Sequence, residues 1–288
     1  MAGARGGDTT CYRIATAAIT LAILAVGIRA AHNGWLPTGD QGFYALRAHD
    51  VFSDHPPLRG MASSVSIGTG AEVSHPGPLQ FDLLAVPVAL LGIGAGTAVG
   101  VAGLNALSVA TLGWLIRRRA GPLAGTAAVV AVGGLAWAMG SALLFDPWGP
   151  YMAMLPFALF LVAVAMAAGG DLVALPIAVV AGSVALQAHS SYAALVPGLT
   201  LVAVAGAGYW LRRDRRADRA AWLWVGVTVM TAVVCWAQPL YQQLTGDPGN
   251  LTAWFRSTNE IPPGTVGLGD SVVATASITG HPPWWWPP

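Results

Sequence analysis

The chain has 288 residues, of which 55 % are hydrophobic and only 9 % charged, with 36 Gly, 20 Pro and a formal net charge of +1; its mean hydropathy is +0.60. So apolar a composition, broken into runs of roughly 16 to 24 residues by short polar breaks, is that of a polytopic membrane protein. It argues against nucleic-acid binding, because there is neither a basic excess nor a basic patch with interleaved aromatics.

All 14 basic residues are Arg, which together with the Ala, Gly and Val bias points to a GC-rich bacterial genome. The two cysteines, Cys11 and Cys235, stand before the first apolar run and inside the last. That separation argues against a disulfide and offers no metal-type spacing.

In chain order, apolar runs predict spans over roughly 13–31, 97–116, 122–145, 151–169, 172–187, 193–211 and 221–240. One more run, Leu79 to Ala95, is short, carries Gln80 and Asp82 near its start and holds Pro87. Charge arbitrates its placement. If it does not cross, Arg5, Arg13, Arg117 to Arg119, Arg212, Arg213, Arg215, Arg216 and Arg219 share one side of the membrane. Arg29, Arg47, Arg59 and Arg256 are then left on the other. If it does cross, the arginine clusters fall opposite the N-terminus, against the excess of Arg expected in short cytoplasmic loops.

The expected architecture is therefore an all-α polytopic membrane protein of about seven transmembrane helices. Residues 1–31 form the cytoplasmic N-terminus and first span, and residues 32–96 a large first extracytoplasmic loop with short interfacial helices. Residues 97–240 hold six further spans, and residues 241–288 an extracytoplasmic C-terminal segment. The first span resembles a cleavable signal peptide only loosely, since its polar start is short and six spans follow.

The loop stretch 38–58, TGDQGFYALRAHDVFSDHPPL, gathers three Asp, two His and an Arg into an otherwise apolar chain. Thr38-Gly39-Asp40-Gln41 has the form of a capping box, with Thr38 capping a helix to about Phe52 and Gln41 reaching back to the Thr38 amide. Asp40 then lies in the first turn, where the helix dipole favours a carboxylate. The corners His55-Pro56-Pro57-Leu58 and His75-Pro76-Gly77-Pro78-Leu79 hold polar side chains at the membrane surface. A loop this long in a compact domain is commonly functional.

Asp40-Gln41-Gly42-Phe43-Tyr44, followed by His75-Pro76-Gly77-Pro78-Leu79-Gln80-Phe81, resembles the first outer loop of the GT-C superfamily of membrane glycosyltransferases. The resemblance is nearest to the bacterial branch of protein mannosyltransferases and lipid A aminoarabinose transferases, and with the seven-span layout it covers nearly the whole chain. Gln41 stands where Glu is common, and the second outer loop offers Phe145-Asp146-Pro147-Trp148-Gly149-Pro150-Tyr151 rather than a paired-carboxylate motif. Superfamily members continue past the seventh span, whereas this chain stops at a Trp cluster, 284–286, as a truncated member would.

The resemblance implies transfer of a sugar from a polyprenyl-phosphate donor to a glycan, lipid or protein acceptor, on the outer face of a bacterial plasma membrane. Such a leaving group departs readily, so the protein must chiefly hold charge and orient a hydroxyl. Asp40 is expected to be the general base of an inverting displacement. Arg47, Arg59 or His75 would bind phosphate, with Arg favoured for its forked donors. Gln41, Tyr44, Asp146 and His189 would contact acceptor or metal. Some relatives use a divalent metal, for which Asp40, Asp146 and His189 would be the ligands. Two other classes stay open. A transporter is disfavoured by the lack of a repeat and of ionisable residues within the spans, and a non-catalytic membrane subunit fits the missing second acidic motif.

Overall fold

The computed structural model describes residues 2–63, 66, 72–213, 219–260 and 267–279. It is helical throughout, and among the described residues the extended pairing is a lone bridge between Ala62 and Ser74. The helices are α1 (Ala2–His32), α2 (Asp40–Asp50), α3 (Leu79–Leu91), α4 (Ile93–Met139) and α5 (Gly149–Ala168). They continue with α6 (Ala174–Ala188), α7 (Leu195–Arg213), α8 (Arg219–Thr245), α9 (Asn250–Glu260) and α10 (Leu268–Thr279). Five of them, α1, α4, α5, α7 and α8, are long and apolar enough to cross a membrane. The C-terminal Trp cluster and Arg215 and Arg216 lie outside the described residues.

Glycine decides where the long apolar stretches turn. At 47 residues, α4 unbroken would run about 70 Å at 1.5 Å per residue, more than twice the hydrocarbon thickness of about 30 Å. It breaks at Gly121, whose φ of 88° and ψ of 172° are non-helical, and Pro122 opens the second arm with a ring already set for a helix start. The two arms lie against each other, since a side chain at Gly113 would collide with Val129 and one at Gly125 with Arg117. The spans expected over 97–116 and 122–145 thus fall in one broken helix. Its second arm stops at Met139 rather than Phe145, where Gly140 takes a φ of 95°.

The ambiguous apolar segment is helix α3, and it ends at Leu91 rather than Ala95 because Gly92 (φ 82°) reverses the chain. With Pro87 inside it, α3 folds back on the first arm of α4. Gly96 and Gly100 there leave no room for a Cβ against Pro87, Val88 and Leu84. The segment expected over 172–187 is α6, 15 residues long, buried along most of its length and packed by α5, α7 and α8. At about 22 Å it is shorter than a full crossing.

Helix packing relies on small residues, as expected where lipid tails are as apolar as side chains and close backbone approach supplies the contact energy. Gly27 of α1 meets Ala98 and Ala102 of α4, Gly206 of α7 meets the backbone of Ala168, and Gly182 of α6 meets the Phe160 ring. Two ends of the bundle result. One gathers the Arg117–Arg119 turn, the 169–173 loop and the facing ends of α7 and α8, tied by Arg118 on Asp171 at 3.0 Å. The other gathers the 38–78 loop, the 140–149 turn, the 188–192 turn and the start of α9.

Gly27→Leu forces a side chain into Ala98 and Ala102 and is expected to cost about 1–3 kcal/mol through overpacking. Gly103→Ala, which has open space around it, should leave stability within about 0.5 kcal/mol. Thermal unfolding of the two variants in detergent, followed by size-exclusion fluorescence, separates them; equal melting temperatures would contradict the packing described.

Candidate functional site

The loop end of the bundle is organised by side-chain amides that bridge distant segments. Gln80 and Gln187 are almost completely buried. Gln80 donates from Nε2 to the Pro147 carbonyl. Gln187 accepts from the Leu79 amide at 3.2 Å and donates to the Cys235 carbonyl at 2.7 Å. Asn250, also buried, accepts from the Ser74 amide at 3.0 Å and donates to the carbonyls of Ser74 and His75. Gln238 donates to Asp82 at 3.3 Å. Buried polar groups persist only when partnered, and these ties join α3, α6, α8 and α9 to the 74–79 corner and to the turn at Pro147.

Helix α2 starts without the expected capping box. Its N-cap is Gly39 (φ 56°, ψ −131°) with no side-chain cap, so Thr38 does not cap the helix. The positive φ suits glycine and turns Thr38 aside. Gln41, expected to reach back to the Thr38 amide, instead donates to Asp146 Oδ2 at 2.8 Å, a charged and therefore stronger acceptor. The helix ends at Asp50, close to the expected Phe52.

Asp146 is 6 % exposed. Its Oδ1 accepts from the Trp148 amide at 2.8 Å, closing an Asp-Pro turn, and its Oδ2 accepts from Gln41. Both oxygens are therefore occupied. Tyr44, one turn beyond Asp40, is buried against Phe81 with ring centroids 6.1 Å apart. Burial is the main cause that pushes its hydroxyl up to about 12. A hydrogen bond from the Gly149 amide opposes this, while the nearby carboxylates of Asp40 and Asp146 raise it further. Tyr44 thus stays protonated, with a carboxylate from each loop beside it.

Asp40 differs from Asp146. It is exposed, and no hydrogen bond or ion pair joins it to a described residue. Arg47, seven residues later on α2, falls on the same helix face about 10 Å further along the axis. Arg47 and Arg59 line an open cleft of about 470 Å³ with Pro56, Pro57, Gln242 and Asp247. Both arginines are half-buried and neither is paired with a described residue.

His75 does not join them. It is 5 % exposed, its Nδ1 accepts from the Ser190 amide at 3.3 Å, and its ring lies 4.9 Å from that of His189. Burial, then His189, lowers it from the ordinary 6.5 to about 4, so it is neutral and cannot serve as the phosphate-binding cation expected of it. His189 is lowered too, by burial, and its Nδ1 accepts from the Ser191 amide. Among the described residues no three His, Cys, Asp or Glu side chains come together to hold a metal, so Asp40, Asp146 and His189 do not form the ligand set expected of them.

The bridging role of Gln80, Gln187 and Asn250 is absent from the sequence reading. Its one signal there is the cost of an amide inside an apolar helix. Comparison with known proteins yields no match, neither to a protein-family model nor to a curated protein nor to a solved structure.

The buried His75 and the lowered His189 both favour the native state while uncharged. The contribution of His75 is complete above pH 6.5, the ordinary value, and is lost as pH falls toward about 4; that of His189 declines below 6.5 in the same direction. Melting temperature in detergent should be flat above pH 6.5 and decline below it, with His75 accounting for up to about 3 kcal/mol. His75→Gln should flatten that decline; an unchanged acid limb would show that His75 is not buried neutral.

Proposed function

We propose that the chain is a membrane glycosyltransferase of the GT-C type that moves a sugar from a polyprenyl-phosphate donor to an acceptor hydroxyl at the loop face. The observation that carries this reading is the contrast between the carboxylates. Asp146 is bound through both oxygens, whereas Asp40 is exposed, unpartnered among the described residues and two helical turns from a free Arg47. An unpaired carboxylate on the same helix face as an unpaired arginine suits a reaction that takes up a proton at one point and releases a phosphate at another.

In the proposed step Asp40 takes the proton of the acceptor hydroxyl as that oxygen attacks the anomeric carbon. The new glycosidic bond forms as the bond from that carbon to the phosphate oxygen breaks, with inversion. Polyprenyl phosphate leaves with the electron pair, its charge met by Arg47 and Arg59. Tyr44, protonated, fixes the loop geometry and presents no second base.

The topology that goes with this reading is seven spans, with α4 counted as two crossings about Gly121 and α6 as one buried crossing. The arginine-rich end then faces the cytoplasm of a bacterial plasma membrane, in keeping with the bias of short loops toward Arg. A non-catalytic membrane subunit is the second reading, favoured by the complete use of Asp146, Gln41 and Gln80 in holding loops together.

The test is transfer from radiolabelled polyprenyl-phosphate sugars in membranes, using the native chain, Asp40→Asn and a double Arg47→Gln, Arg59→Gln variant. Asp40→Asn is expected to lower the rate by about 10²–10⁴ without changing melting temperature, and the arginine variant to weaken donor binding. Failure of the native chain both to transfer sugar and to bind the donors would favour the subunit reading.

A further inference from the structure

The arginine-rich end of the bundle holds a cavity of about 450 Å³ that plays no part in the site above. Its lining mixes polar and apolar groups: Arg119 and the backbone of Gly169 and Gly170, with Trp210 and Leu211 of α7 and Trp224 of α8.

Arg119 is held but not consumed. It donates to the Gly169 carbonyl, and its Nε lies 3.9 Å from Asp171 Oδ2, yet the side chain keeps 44 % of its surface exposed. Asp171 is 5 % exposed and takes its hydrogen-bonded ion pair from Arg118 instead, at 3.0 Å. One carboxylate thus serves two guanidinium groups. Arg119 keeps net charge and, of the five N–H donors of its group, most are free. The indole wall beside it is held in place: Trp210 donates to the Ala168 carbonyl at 3.1 Å, packs on Gly170 and carries Arg213 over its ring at 5.1 Å. Arg13, Arg117, Arg212, Arg213 and Arg219 add positive charge to this end, against Asp8 and Asp171 among the described residues.

A cavity that combines a largely free guanidinium with indole and aliphatic walls, set at the rim of membrane-crossing helices, suits an amphiphile. We propose that it binds an anionic diacyl phospholipid of the leaflet on the arginine-rich side, the headgroup phosphate on Arg119 and the first chain carbons between Trp210 and Trp224. Indole rings favour that depth in a bilayer, and cations there attract anionic headgroups. The inference is independent of the transferase reading and of which side of the membrane is cytoplasmic.

The test uses the whole chain, delipidated in detergent, with melting temperature and bound-lipid count by native mass spectrometry as readouts. Phosphatidylglycerol, phosphatidylcholine and soluble glycerol phosphate are added in turn. Phosphatidylglycerol alone is expected to stabilise the native chain and to co-purify as a bound lipid. Arg119→Gln should weaken its binding roughly fivefold, the size of one lost cation at a charged surface. Ala220→Trp, which fills the cavity from an exposed position on α8, should abolish it, while Arg212→Gln, outside the cavity, should weaken it by less than Arg119→Gln does. Equal stabilisation by phosphatidylcholine, saturation by glycerol phosphate, an equal loss in Arg212→Gln, or retained binding in Ala220→Trp would each overturn the proposal.

Discussion

What the rest of this structure depends on is the need to partner buried amides where water is scarce. Gln80 and Gln187 sit almost wholly buried in short apolar helices, and an unpartnered amide there costs about 1–3 kcal/mol. Each is satisfied only by a backbone group from another segment: Pro147 for Gln80, Leu79 and Cys235 for Gln187. The cost of losing a partner converts a set of loops with little apolar content into fixed geometry. Helix α2 joins the same system, because Gln41 donates to Asp146 in the turn that Gln80 holds through the neighbouring Pro147.

Charges at the two ends of the bundle divide in the same manner. Asp146 and Asp171 are buried and are used by the fold, one to close a turn and receive Gln41, the other to hold Arg118. Asp40, Arg47, Arg59 and most of Arg119 are not used in this way. An arginine that pairs with no described residue adds no ion pair to the fold and leaves its donors open to an anionic ligand. The functional readings rest on these leftover charges rather than on the paired ones.

The all-helical class and the apolar crossings were legible in the sequence, because run length against bilayer thickness is a local property. The capping box at Thr38 was misread because the same letters allow two partners for Gln41, and the better acceptor lies 105 residues away. The neutrality of His75 depends on burial and on His189, which is 114 positions downstream. The amide ties of Gln187 and Asn250 join positions up to 176 apart. No period or spacing encodes such pairs; they exist only once the helices have packed.

Helix α8 links these two systems mechanically. Near one end it is tied to the polar layer through Cys235, Trp236, Gln238 and Gln242, which engage Gln187, Ser183, Asp82 and the Asn250 amide. Away from those ties its side chains Trp222, Leu223, Val229, Met230 and Val234 are exposed, as they would be against lipid. Its start lies at the other end of the bundle, where Ala220, Ala221 and Trp224 border the cavity with Arg119 and Trp210. One helix therefore serves both ends: its last turns supply acceptors to the polar layer, and its first turns supply wall to the cavity.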